Sequence, residues 1–132
     1  MKKYINIESK IDNVSLIEKF IDDFSEENKI NADLYGKILI ATIEAVNNSI
    51  VHGNKEDVNK SVYLEMQKEG NQIKVYVKDE GEGFDYENIP DPTIPENLEN
   101  IHGRGIYLMN HLADEVNFYN DGSVVQMVFN LE

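Results

Sequence analysis

Cysteine is absent from this 132-residue chain, which excludes disulfides, thiolate nucleophiles and cysteine-based zinc sites and suits a reducing cytoplasm. Positive charge is scarce: 12 Lys and Arg stand against 25 Asp and Glu, for a formal net charge of -13. A chain this acidic lacks the clustered cations that release counterions from a phosphate backbone, so DNA and RNA are poor partners; the acidity suits a basic protein surface, but is more often a general property of soluble proteins with no specific partner behind it. No apolar run is long enough to cross a bilayer. Residues Met1 to Glu8 alternate polar and apolar side chains where a signal peptide would have an apolar core. A soluble, cytoplasmic protein without membrane contact is expected. Proline is confined to one short stretch, Pro90, Pro92 and Pro95, which leaves the rest of the chain open to regular structure.

What is present favours folding. The hydrophobic share is 41%, and the length suits one core, so residues 1–132 are read as a single domain. Lys3 to Glu8 alternates as a short strand at a sheet edge. Val14, Ile17, Phe20, Ile21 and Phe24 recur at helical spacing, with Ser15 and Glu18 as a capping box. A second helix is predicted from about Ala32 to Val51, capped by Asn31 and ended by His52-Gly53-Asn54. Ser61 to Met66 and Ile73 to Lys78 alternate as a hairpin about Glu69-Gly70-Asn71. From Gly81 to Gly105 periodicity is lost and a long irregular loop is expected. A short helix, Ile106 to Ala113, then leads to strands at Glu115 to Tyr119 and Val124 to Leu131, turned by Asn120-Asp121-Gly122. This order gives an α/β (α+β) two-layer sandwich, a mainly antiparallel sheet with helices on one face.

Three groups of residues carry possible chemistry. Glu44 and Asn48 stand one helical turn apart and project from the same face, bringing a carboxylate and an amide together. Consecutive asparagines, Asn47 and Asn48, are locally unfavourable within an apolar helix because their side chains compete for backbone hydrogen bonds, and such inconsistency marks functional positions. They fit equally a solvent-facing helix end. Asp79-Glu80-Gly81-Glu82-Gly83 follows a strand: the carboxylate can accept from an exocyclic amine, and the glycines let backbone approach a flat ring. An ordinary acidic turn has the same composition. Gly103-Arg104-Gly105 precedes the last helix, where backbone N–H groups and the helix dipole favour an anion. Arg104 is there either a phosphate contact or a solvated side chain. His52 and His111 lack the neighbours of a metal cluster, and Tyr63, Tyr76, Phe118 and Phe129 read as packing residues.

Taken together, Glu44-x-x-x-Asn48, Asp79-x-Gly81-x-Gly83 and Gly103-x-Gly105 resemble the N box and the two glycine boxes of the GHKL ATPase superfamily. The stretches Glu44 to Gly53, Gly103 to Met109 and Ala113 to Val116 are most similar to its small anti-sigma-factor serine kinase branch. The resemblance implies a histidine-kinase-like fold binding ATP. Asn48 would hold Mg²⁺, Glu44 would be the general base, Asp79 would read the adenine amine, Gly81 and Gly83 would shape the base pocket, and Gly103, Arg104 and Gly105 would meet the phosphates. The irregular loop would be the ATP lid. The branch further implies a protein serine/threonine kinase, usually a homodimer, that binds a sigma factor and phosphorylates a serine on an antagonist protein. The lid departs from its pattern in carrying three prolines. The alternative from another class is an ATP-gated interaction module without phosphotransfer. A detached histidine-kinase catalytic domain fits less well, because it needs a helix pair bearing a phosphoacceptor histidine.

Overall fold

The strands follow from period-two alternation in which every second residue is apolar. In the computed structural model, which describes residues 2–83 and 101–131, five strands form one antiparallel sheet in the order β1-β2-β3-β5-β4. They are β1 (Lys2–Glu8), β2 (Ser61–Glu69), β3 (Gln72–Lys78), β4 (Glu115–Tyr119) and β5 (Val124–Asn130). The register pairs Leu64 with Val77 and Val75 with Met127. One face of the sheet therefore buries Val62, Leu64, Met66, Ile73, Val75 and Val77 completely, alongside Met127 and Phe129. As expected, β1 lies at an edge, and an ion pair from Lys3 to Glu27 fastens it to the end of the first helix.

Among the described residues three α-helices accompany the sheet: α1 (Val14–Glu27), α2 (Ala32–Asn48) and α3 (Ile101–Leu112). Ile17, Ile21 and Phe24 form the buried stripe of α1 at zero exposure, and Ile38, Ala41, Ala45 and Val46 form that of α2. Asn31 caps α2 as expected, its side chain accepting from the Leu34 N–H at 2.9 Å. The capping box at the start of α1 does not form. Asn13 takes the cap position without a side-chain bond, and the Ser15 hydroxyl donates instead to the Asp12 carbonyl.

Two boundaries differ from expectation, and both lie where the site is built. After Asn48 the helix widens into a π-helical turn, Ser49–Gly53, closed by the Asn54 N–H donating to the Ser49 carbonyl at 2.8 Å. The helix α3 begins at Ile101, so Gly103, Arg104 and Gly105 lie inside its first turns and do not precede it. The remainder of the expected irregular loop, with Pro90, Pro92 and Pro95, lies outside the described residues.

The opposite face of the sheet is polar and aromatic. Tyr4 stacks on Tyr63 with ring centroids 5.8 Å apart. The Tyr63 hydroxyl donates to Glu65 at 2.6 Å, and that carboxylate pushes its pKa up to about 12. Gln126 donates to the Tyr76 hydroxyl at 2.8 Å. The aromatic residues thus serve cross-strand packing and, for Phe129, the core. Among the described residues no helix is long and apolar enough to cross a membrane.

Asn31→Ala should lower stability by about 1 kcal/mol by leaving an N–H at the start of α2 unsatisfied, read as a lower urea midpoint at unchanged slope; an unaltered midpoint would show that the cap is dispensable.

Candidate functional site

The site lies where the end of α2 meets the end of β3. Its cleft is lined by Asn48, Ser49 and Gly53 from α2 and its π-helical turn, Asp79 and Gly83 after β3, and Ile106 and Met109 from α3. Phe118, Val77 and Val125 add an apolar wall. An apolar wall beside one buried carboxylate suits a heteroaromatic ring that donates a hydrogen bond.

The placement of Asp79 explains the glycines around it. Its side chain is only 7% exposed, and the Gly81 N–H donates to Oδ1 at 2.8 Å. Its own N–H donates to the Ser123 carbonyl at 2.9 Å, fixing the strand end against the turn into β5. A Cβ on residue 53 would lie 2.3 Å from Asp79 Oδ2, so no side chain fits there. Burial pushes the Asp79 carboxyl up from its ordinary value, opposed by hydrogen bonds from the Gly81 N–H and the Ser49 hydroxyl and by the charge of Lys60.

In the same cleft lining, the Asn48 amide nitrogen is buried without a hydrogen-bond partner. Two further buried side-chain atoms share that condition among the described residues, the hydroxyls of Ser25 and Thr42, but only Asn48 lines the cleft. An unsatisfied buried amide costs about 1–3 kcal/mol, which a ligand in the cleft would recover. Gly105 packs directly on it: a Cβ there would meet Asn48 Nδ2 at 2.8 Å.

Of the residues singled out from sequence, the fold brings Asn48, Asp79 and Gly83 to one cleft, with Gly81 bonded to Asp79 and Gly105 seated on Asn48. Gly103 falls in the first turn of α3. The side chain of Arg104 and the lid lie outside the described residues. Glu44 is half-buried one turn before Asn48 and is not among the cleft-lining residues. Sequence reasoning missed Asn54, which is 1% exposed and joins three segments beside the cleft. It also gave no role to Ser49 or His52, which line the cleft. Partial burial holds the His52 imidazole below its ordinary value.

Residues 7–129 match the model of the histidine kinase-like ATPase domain. The chain belongs to this family. Among curated relatives of this ATPase domain, it is 35% identical over 97 residues to the anti-sigma F factor of Anoxybacillus flavithermus, an alignment covering 67% of this chain and 64% of that protein. It is 34% identical over 94 residues to the serine-protein kinase RsbW of Staphylococcus aureus, covering 64% and 58%. The chain therefore spans less than two thirds of the length of these relatives. Their names agree with the resemblance read from the three glycine- and asparagine-bearing boxes.

The family implies ATP, commonly carried with Mg²⁺, and the residues present fit both. Mg²⁺ keeps waters and substrate phosphates as most of its ligands and needs only one or two protein oxygens, which the Oδ1 of Asn48 in the cleft lining can supply, while its unsatisfied Nδ2, a donor, suits a phosphate oxygen. Among the described residues no cluster of three carboxylates or histidines exists to hold a metal independently of a nucleotide.

The raised Asp79 pKa has a thermodynamic consequence. Folded Asp79 keeps its proton to higher pH than the unfolded chain does, so its stabilising contribution is full below about pH 4, the ordinary carboxyl range, and is lost as pH rises through the raised value. Asp79→Asn should remove this dependence. Relative to the variant, the native urea midpoint should fall between acid and neutral pH; midpoints running parallel over that range would contradict the burial argument.

Proposed function

We propose that residues 1–132 act as one ATP-binding domain and, with Mg-ATP in the cleft, as a protein serine kinase that also binds a sigma factor. The observation that carries the reading is the pairing, in the lining of one cleft with an apolar wall, of a buried carboxylate with an unsatisfied buried amide nitrogen. Asp79 accepts a hydrogen bond from the adenine amine while Gly81 and Gly83 leave room for the ring. Asn48 would hold the cation through its Oδ1. Bound there, Mg²⁺ supplies neutralisation of the charge that develops on the transferring phosphoryl group.

The first four N–H groups of a helix have no intrahelical acceptor, and Gly103 and Arg104 are the third and fourth residues of α3. Their backbone is thereby disposed toward phosphate oxygens with the favourable end of the helix dipole. In the transfer, the serine hydroxyl oxygen of an antagonist protein forms the new bond to the γ-phosphorus, the bond to the bridging oxygen breaks, and ADP leaves. Glu44 takes the hydroxyl proton as general base. The names of the relatives support a sigma factor and its antagonist as partners, and the net charge of -13 suits a basic docking surface on one of them. Cytoplasmic location and a homodimer complete the reading.

The position of Glu44, half-buried and outside the cleft lining, favours a second reading, an ATP-gated interaction module without phosphotransfer. Titration calorimetry and phosphotransfer assays separate the two. Native chain should bind Mg-ATP, and Asn48→Ala and Asp79→Asn should each weaken it by about tenfold or more, as expected for the loss of a charge-assisted contact. Glu44→Ala should retain ATP affinity and slow transfer to the cognate antagonist by about 10²–10⁴-fold. Binding without transfer by the native chain supports the second reading, and no binding of ATP or ADP overturns both.

A further inference from the structure

Asn54 is a side chain the nucleotide reading leaves without a role, yet it is 1% exposed and its amide is fully used. Its Oδ1 accepts from the Glu80 N–H at 2.8 Å. Its Nδ2 donates to the Ser9 hydroxyl at 2.8 Å and to the Ser61 carbonyl at 2.9 Å. Ser9, itself fully buried, passes the chain on by donating to the Lys60 carbonyl at 2.6 Å. One side chain therefore ties together the segment after β1, the start of β2 and the segment after β3. The Glu80 carboxylate closes the loop by accepting from the Ser61 N–H at 2.5 Å.

The residues on either side make this a device aimed at Asp79. Glu80, whose N–H is held by Asn54, lies between Asp79 and Gly81, the residue whose N–H holds the Asp79 carboxylate. Gly53, immediately before Asn54, is the residue against which the carboxylate lies, and a Cβ on Gly81 would meet the Gly53 carbonyl at 2.1 Å. The Gly53-Asn54 pair thus touches each residue from Asp79 to Gly81, glycine by close approach and asparagine by hydrogen bond. A buried amide with every bond satisfied is rigid, and a rigid second layer is what keeps a recognition group within reach of its ligand.

We propose that Asn54 is a positioning residue for base recognition: it holds the Asp79–Gly81 segment at the height in the cleft where the carboxylate meets the exocyclic amine of the base. The inference rests on the reading of the cleft as an adenine nucleotide site. It concerns selectivity for the amine more than affinity for the phosphates, which that reading assigns to Asn48.

The test compares ATP with purine riboside triphosphate, which lacks the 6-amino group, by titration calorimetry with Mg²⁺ on the whole chain. Native chain should prefer ATP by about tenfold or more, the range for a hydrogen bond to a charged acceptor. Asn54→Ala should cut that preference to about twofold, the margin left when such a contact is largely lost, while affinity for the amine-free analogue stays the same. Ser9→Ala, which removes one of the three bonds, should shift the preference in the same direction by less, and it carries the test if Asn54→Ala does not fold. A general loss of stability would lower both affinities by the same factor, and that result, or an unchanged preference in both variants, overturns the role of Asn54 while leaving the nucleotide site standing. A native chain that binds both nucleotides equally or neither overturns the reading of Asp79 and the inference with it.

Discussion

A backbone without a side chain at Gly53 lets the Asp79 carboxylate lie against the end of α2, where a Cβ would stand 2.3 Å from its oxygen. The rest of the site depends on this approach. It requires α2 to end in a widened turn, so that Ser49, Gly53 and Asn54 face the end of β3 in succession. It also requires β3 to end one residue before Asp79, so that the carboxylate points into the cleft and away from the strand ladder. Burying a carboxylate in this way is unfavourable, as its raised pKa records, and the compensating donors are local: the Gly81 N–H and the Ser49 hydroxyl.

The same logic holds for the second polar group. Asn48 is an amide on the buried side of an otherwise apolar helix, with its nitrogen unsatisfied, and Gly105 of α3 has no side chain to push it aside. Sheet, apolar wall and helix ends therefore frame one cleft whose lining holds both polar groups. Such an arrangement matches a ligand that is flat and amine-bearing at one end and anionic at the other, which is how an ATPase-domain fold becomes a specific site.

The strands were legible in the sequence because alternation such as Val62, Leu64, Met66 leaves no other register that buries an apolar face. The helix α2 was legible through Asn31 and its apolar stripe. Its widened end was not, since a π-helical turn has no period of its own in the sequence. The start of α3 was misplaced because Gly103-Arg104-Gly105 read as a stretch preceding the helix; tertiary packing overrides the low helix propensity of glycine, and residue 105 is glycine where Asn48 occupies the space a side chain would need. Of the site, Asn48 and Asp79 announced themselves by being polar where the pattern called for apolar or turn residues. Asn54 did not. Following Gly53, it reads as a turn residue, and two of its partners, Ser9 and Glu80, are 45 and 26 residues away.

The most direct measurement is nuclear magnetic resonance of the isotope-labelled chain during titration with Mg-ATP, following the backbone amides of Gly53 and Gly81 and the side-chain amide of Asn48. The account predicts saturable shifts at all three, because the base end and the phosphate end of one ligand are engaged together. Shifts confined to the open sheet face around Tyr63 and Gln126, or none at Asn48 and Gly81 at saturating nucleotide, would contradict it.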